Sequence, residues 1–357
     1  MLSRKKKSTS IVGLDLDVGS IAAAEIELNG RAELTRTAIS PLEPGAFSDG
    51  EVADLDTVSD ALKAFFSEHD LAKDVRIGVA NQRVVFRTLR LPAIEDPAEM
   101  GAAVRFQAQE EIPMPLESAV LEYQVIGGVN GPDGNAQVDV AIVAARREMV
   151  ERFIEPVRKA GLRPVGIDLA AFGMIRALAS SETPAGEGEG GEFVPAVLYC
   201  ALGDATNLAI ARRFACLFAR TSQFGVAQLS RRLSEKTGLT DQHARQWLLH
   251  VGLSQSPEEI EGDADTVRHT REILERASDA LADELRVSLD YYGAQEDAVP
   301  VGPVVLSGEG SAIPGLAERV ADALRREVRV ARPAALSGLE DVQSARLTVP
   351  YGLALER

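Results

Sequence analysis

Thr9-Ser10-Ile11-Val12-Gly13-Leu14-Asp15-Leu16-Asp17-Val18-Gly19-Ser20 opens the strand pattern of this chain, and Pro195-Ala196-Val197-Leu198-Tyr199-Cys200-Ala201-Leu202-Gly203-Asp204-Ala205-Thr206-Asn207 repeats its plan. In the first stretch the β-branched and apolar run Thr9–Asp15 predicts a strand. Ile21–Leu28 and Ala32–Ala38 predict two more around a hairpin turn at Asn29-Gly30. Asp54 or Asp56 then caps a helix with Leu55, Val58, Leu62, Phe65 and Phe66 on one face. The second stretch predicts strands at Pro195–Ala201, Asn207–Arg212 and Cys216–Thr221. Helices follow at about Val226–Lys236, Asp241–Val251 and Asp265–Tyr292, the last with apolar positions from Ile273 through Val287 to Tyr292. A three-strand opening followed by helix therefore occurs twice.

Working outward, the region between the repeats predicts strands at Val75–Ala80 and Val84–Leu91, the second ended by Pro92. Asp96-Pro97 starts a helix to about Glu111, and Ile112-Pro113-Met114-Pro115 forbids its continuation. Ala119–Ile126 and Ala136–Ala144 read as strands joined by the turn-rich loop Gly127–Asn135. An amphipathic helix Arg147–Ala160 stops at Gly161, followed by a strand Leu162–Leu169 and an apolar helix Ala170–Ser180. Ser181–Glu192 lacks apolar anchors and reads as a surface connection. Near the end come a strand at Pro303–Leu306, a helix at Pro314–Arg326 and a strand at Val328–Ala331.

Composition narrows the function. The 357 residues include 38 Lys+Arg against 54 Asp+Glu, a formal charge of −16, which disfavours a broad phosphate-binding surface and hence nucleic acid. An aromatic content of 5% argues against base-stacking platforms. Two cysteines make neither a disulfide framework nor a zinc pattern and fit a reducing cytoplasm. No apolar run approaches the ~20 residues of a membrane span, and the short stretch after Arg4-Lys5-Lys6-Lys7 is no signal peptide. That basic tail suits either a solvated end or contact with an anionic leaflet. His69, His243, His250 and His269 show no metal-ligand spacing. The G-x-G-x-x-G match Gly186–Gly191 follows no strand and reads as chance.

A mixed-sheet unit duplicated around a central cleft is the plan of the actin-like ATPases. Placed on it, Asp15 ends a strand where a carboxylate would sit near Mg²⁺, and the turn Asp17, Gly19, Ser20 would face phosphate with its amides. Gly203, Asp204, Thr206 and Asn207 form the matching second turn. Val304–Leu316 runs a buried strand into Gly308, Gly310 and Ser311, glycines that let backbone approach an adenine or ribose. Each of these also fits a bland reading, namely a strand-ending Asp, a polar β-turn or a Gly-rich strand-to-helix turn.

More discriminating is the middle of the chain. Phe106-Gln107-Ala108-Gln109-Glu110-Glu111-Ile112-Pro113-Met114-Pro115-Leu116, Leu121-Glu122-Tyr123-Gln124-Val125, Val143-Ala144-Ala145-Arg146 and Ala160-Gly161-Leu162-Arg163-Pro164 resemble the FtsA/PilM family of actin-like proteins, as does Val349-Pro350-Tyr351-Gly352-Leu353-Ala354-Leu355. The resemblance implies an α/β, actin-like (ribonuclease H-like) duplicated fold with two lobes and an FtsA/PilM-type inserted subdomain. The expected division is 1–73 for the first lobe, 74–168 for the inserted subdomain and 169–194 for the return to the first lobe with its loop. Residues 195–340 would form the second lobe with its helical subdomain, and 341–357 a C-terminal return to the first. It further implies a cytoplasmic scaffold of type IV pilus assembly at the inner face of the cell membrane, with other alignment-complex components nearby. Such a scaffold binds the cytoplasmic N-terminal peptide of a PilN-like bitopic protein in a groove beside the inserted subdomain.

ATP and Mg²⁺, the latter on Asp15, are the cofactors the family implies, and here the sequence departs from it. The family generally reads G-L-D-I-G-S-S-S-V-K where this chain has Gly13-Leu14-Asp15-Leu16-Asp17-Val18-Gly19-Ser20-Ile21-Ala22, so Asp17 replaces a Gly and Ala22 the Lys. The second turn begins Cys200-Ala201-Leu202-Gly203 in place of D-I-G. A carboxylate ~5 Å from a phosphate costs ~3 kcal/mol at an effective dielectric of ~20. Weak or absent ATP binding and negligible hydrolysis are therefore expected. The alternative is an active actin-like ATPase or small-molecule kinase on the same fold. An FtsA-like division filament is disfavoured, because no amphipathic membrane-binding tail precedes Arg357.

Overall fold

Strand β1 (Thr9–Asp17) places Val12, Leu14 and Leu16 in the core, and its antiparallel neighbours β2 (Ser20–Leu28) and β3 (Ala32–Pro41) follow it directly. The computed structural model describes residues 9–29, 31–130, 134–182 and 194–355. Arg4–Lys7, Gly30 of the expected turn, residues 131–133, the Gly186–Gly191 match and most of Ser181–Glu192 lie outside the described residues. After a two-residue hairpin, β4 (Phe47–Ser48) and β5 (Glu51–Val52), helix α1 (Leu55–Glu68) starts at Asp54, whose carboxylate accepts the amides of Asp56 and Thr57. Its Val58, Leu62, Phe65 and Phe66 are buried, as their spacing predicts. Strand β6 (Asp74–Val79) then lies parallel to β1.

A parallel neighbour needs a long crossover, and here the crossover carries a second unit. Strand β7 (Val85–Pro92), α2 (Pro97–Glu111), β8 (Ala119–Asn130) and β9 (Ala136–Arg146) make a separate antiparallel sheet of order β7-β9-β8 under α2. Its own core joins Leu89 and Leu91 to Met100, Val104, Ala108, Val140 and Ile142. Helix α3 (Arg147–Lys159) returns Met149, Phe153 and Val157 to the first core, and β10 (Arg163–Leu169) completes a five-stranded sheet, β10-β6-β1-β2-β3. At the two ends of the expected block 74–168, β6 and β10 pair within the first sheet, while the separate three-stranded sheet and its helix span residues 85–146.

Helix α4 (Ala170–Glu182) leads toward β11 (Ala196–Leu202), β12 (Thr206–Arg212) and β13 (Ala215–Ser222). Helices α5 (Val226–Thr237), α6 (Asp241–Val251) and α7 (Ala264–Gly293) precede β14 (Val301–Ser307), a 3-10 turn Glu309–Ala312, α8 (Leu316–Leu324) and β15 (Val328–Val330). The second sheet runs β13-β12-β11-β14-β15, strand for strand the order and direction of the first. The duplication read from the sequence is thus a duplication of topology. Of the apolar positions expected to face inward on α7, Val287 is instead 58% exposed.

The final helix α9 (Asp341–Ala354) joins the halves. It packs on α4, β1 and β2, and Leu353 meets Met174 and Tyr199 in a core shared by both sheets. The approach requires glycines. A Cβ on Gly13 would lie 1.9 Å from the Pro350 carbonyl oxygen, and one on Gly352 would lie 1.7 Å from that of Gly173.

Candidate functional site

Because β1 and β11 hold equivalent places in the two sheets, the turns that follow them meet across the cleft between the lobes. The meeting is reciprocal. The Asp204 amide donates to Asp17 Oδ2 at 3.2 Å, and the Gly19 amide donates to Asp204 Oδ2 at 3.1 Å. Asp17 also accepts its neighbour Val18's amide through Oδ1. Each turn thus offers the other both an amide and a carboxylate.

Two guanidiniums from distant helices complete the arrangement. Arg346 of α9 enters the first turn, where it donates to Asp15 Oδ2, to Ser20 Oγ at 3.0 Å and to the Asp15 carbonyl at 3.3 Å. Its side chain is only 9% exposed, so this is a desolvated ion pair. Arg245 of α6 donates to Asp204 Oδ1, to Glu309 Oε2 at 3.1 Å and to Asp241 Oδ2 at 3.0 Å. It therefore links the second turn to the 3-10 turn after β14. Neither Arg was singled out in the sequence. The available signal was a lone cation, Arg346, in the otherwise apolar and small stretch Ser344–Leu355.

Burial pushes the Asp15 carboxyl above the ordinary carboxylate range, with Arg346 opposing the rise. Asp17 is held well above it, by burial first and then by the charge of Asp204. Burial also raises Glu309, against the pull of Arg245. Burial would lower Arg245 and Arg346, but their carboxylate partners hold both raised and fully charged.

The expected site residues divide into two sets. Asp15, Asp17, Asp204 and Asn207 line a polar cavity of about 310 Å³ in the cleft, together with Asn81 and Arg231. Gly19 and Ser20 belong to the latched turn, and a Cβ on Gly203 would sit 3.2 Å from Asp17 Oδ2. Thr206, in contrast, is buried and donates its hydroxyl to the Phe224 carbonyl at 2.6 Å. A Cβ on Gly308 or Gly310 would meet Leu202 atoms at 2.8 and 2.5 Å, so both glycines let this turn pack closely on the end of β11. Ser311 closes its own turn by donating to the Gly308 carbonyl at 2.7 Å.

A metal on Asp15 fits this donor set poorly. Asp15 Oδ2 is committed to Arg346, Asp17 to backbone amides, and Asp204 to Gly19 and Arg245. A cation here would compete with the two guanidiniums for the same carboxylates. Among the described residues, no group of three His, Cys, Asp or Glu is placed to hold a metal.

A second concavity lies beside the inserted unit. Its floor is Ala141 and Val143 of β9 and Phe172 and Ile175 of α4, with Glu122, Gln124 and Ile126 of β8 along one rim and Phe214 of the second lobe opposite, enclosing about 310 Å³. Glu122, Val143, Asp168 and Phe172 are shared with an adjoining apolar pocket of about 130 Å³ that reaches Val120, Val150 and Ile167. Strand β8 is the outer strand of its sheet and pairs only with β9 among the described residues. Asp168 and Arg176 form an ion pair in the wall. Among the described residues, no helix is long and apolar enough to cross a membrane.

Comparison with known proteins places these features. A solved structure of a PilM–PilN type IV pilus biogenesis complex matches with a TM-score of 0.78 at 24% identity, over 96% of this chain and 97% of that one. The ethanolamine utilization protein EutJ from Carboxydothermus hydrogenoformans matches with a TM-score of 0.54 at 14% identity, over 97% of this chain and 89% of its own. MreB5 of Spiroplasma citri bound to ADP gives 0.51 at 12% identity, over 96% and 94%. These likenesses establish an actin-like, two-lobed fold. A family model described as type IV pilus assembly protein PilM matches residues 13–356, from the first strand to the end of α9. The chain accordingly belongs to the PilM family of type IV pilus assembly proteins.

Proposed function

We propose that this chain is a scaffold of the type IV pilus machine that captures the cytoplasmic N-terminal peptide of a PilN-like bitopic inner-membrane protein in the trough beside the inserted unit. The observation that carries this reading, given the family, is a largely apolar trough lined by β8, the outer strand of its sheet, together with β9 and α4. An extended peptide laid there gains main-chain hydrogen bonds from the strand edge, while its apolar side chains fill the two cavities. Residence at the cytoplasmic face of the inner membrane, next to other alignment-complex components, follows from that partner.

The test is calorimetric titration of the full chain with the partner's N-terminal peptide. Saturable 1:1 heat is expected, and Ile126→Asp, which puts a charge on the trough rim, should weaken it at least tenfold in a chain that still melts cooperatively. Absence of heat from the unaltered chain removes the reading.

The same proposal treats nucleotide turnover as lost. What supports it is the commitment of the cleft's amides and carboxylates to one another and to Arg245 and Arg346. The alternative, an active ATPase or small-molecule kinase, predicts that MgATP at ~100-fold its dissociation constant adds ~2.7 kcal/mol of stability. No such rise in melting temperature is expected.

A further inference from the structure

We propose that the interlobe cleft is self-liganded: the carboxylates of Asp17 and Asp204 occupy the turn amides that would hold a phosphate and so join the lobes where actin-like relatives can place a nucleotide, while Arg245 holds Asp204 in place from within the second lobe. The inference rests on the loss of nucleotide turnover proposed above and is independent of the peptide trough.

The geometry supports it in three ways. First, both crossing bonds run between lobes. Gly19 N–H, at the end of the first hairpin, reaches Asp204, and Asp204 N–H, at the end of the second, reaches Asp17. Backbone amides converging on an anion from two turns form an anion cradle, and here the anion belongs to the protein. Second, Arg245 spans Asp204, Asp241 and Glu309, joining the second turn to the 3-10 turn after β14. An arginine in that span supplies the cationic counterpart with no ligand needed. Third, the backbone is shaped around the latch. A Cβ on Gly225 would fall 2.3 Å from the Asp204 carbonyl oxygen and push the second turn aside.

Charge explains why the latch excludes its competitor. Asp15, Asp17, Asp204, Asp241 and Glu309 already outnumber Arg231, Arg245 and Arg346. A polyphosphate would add like charge to carboxylates whose amides and guanidiniums it must first displace.

Two experiments test the latch. In the first, inorganic pyrophosphate and MgADP are titrated by calorimetry into the unaltered chain and into Asp17→Gly/Asp204→Gly, which frees both amides and removes both charges. The unaltered chain should give no binding up to about millimolar ligand. The double variant should gain at least ~tenfold affinity, ~1.4 kcal/mol, for one probe or both. An unaltered chain that binds either probe as tightly as the variant, or a folded variant that gains for neither, overturns the proposal. The second experiment does not depend on the double variant folding, because its first readout is taken on the unaltered chain. Amide exchange followed by NMR should show Gly19 and Asp204 protected in the unaltered chain, and released together at least ~tenfold in Arg245→Gln. Exchange of these two amides at open-turn rates in the unaltered chain overturns it.

Discussion

Arg346 carries more of this site's physics than any residue the sequence motifs pointed to. Its guanidinium is buried against Asp15, and removing one partner of such a pair leaves the other charge uncompensated, which costs ~3–5 kcal/mol. Arg346→Met is expected to lose about that much in urea unfolding, while Asp15→Asn/Arg346→Gln should lose clearly less. Equal losses would place the effect in packing. Asp17 makes a second prediction, of opposite sign to the usual carboxylate. Its folded-state pKa is raised, so the folded protein binds the proton more tightly than the unfolded chain. The resulting cost is fully present above the folded pKa and is relieved as pH falls through it toward the unfolded value. Asp17→Asn should therefore have its most favourable stability relative to the unaltered chain at neutral to alkaline pH. That advantage should shrink steadily as the solution is acidified, and a difference flat with pH would remove the assignment. Asp15, Asp17 and Asp204 could be picked out in the sequence because they lie where strands end and turns begin, while Asp241 and Glu309 carry no such local mark. The arginines could not, because the chain gives no spacing rule that brings position 245 or 346 to position 15 or 204.

At the scale of elements, the join between α4, α9 and β1 is set by backbone approach. Gly352 faces the Gly173 carbonyl so closely that even a methyl group has no room, and the obstacle is backbone that no rotamer change can move. Gly352→Ala should cost at least ~1–3 kcal/mol in chemical denaturation, the range of overpacked cores. An effect within ~0.5 kcal/mol would show that the helices slide apart freely. Most strands and helices were readable within a few residues of their ends, since period-2 and period-3.6 patterns, Asp54 and Asp96 caps and the Ile112–Pro115 break act locally. What the patterns could not assign was the partner of each face. Phe106, within the stretch most typical of the family, is 72% exposed while Val104 and Ala108 on the same helix are buried.

In the whole molecule, two sheets of identical strand order enclose one cleft, and a third, smaller sheet rides on the crossover between β6 and β10. That smaller unit is tied to the second lobe as well. Thr88 donates to the Leu217 carbonyl, and Arg90 pairs with Asp139 of its own sheet and with Asp297 across the gap. The trough beside it shares no lining residue with the cleft cavity. If the cleft needs no ligand to close, partner-peptide affinity should be the same within about twofold with and without MgATP in parallel calorimetric titrations. A larger change would show that the cleft still takes nucleotide and reports it to the trough. Sequence by itself determined the duplicated α/β plan, the strands and helix of a middle region and the departure of the phosphate turns from the family's pattern, because strand periodicity, turn chemistry and the identity of a turn residue are properties of a few consecutive positions. Only the tertiary structure decided that β6 and β10 pair within the first sheet, that Gly308 and Gly310 lie close against Leu202, and that Asp17 and Asp204 bond the opposite turns while Arg245 and Arg346 pair with Asp204 and Asp15. Those outcomes rest on contacts between residues far apart in the chain, where sheet order and the burial of charge, rather than local preference, select the partner.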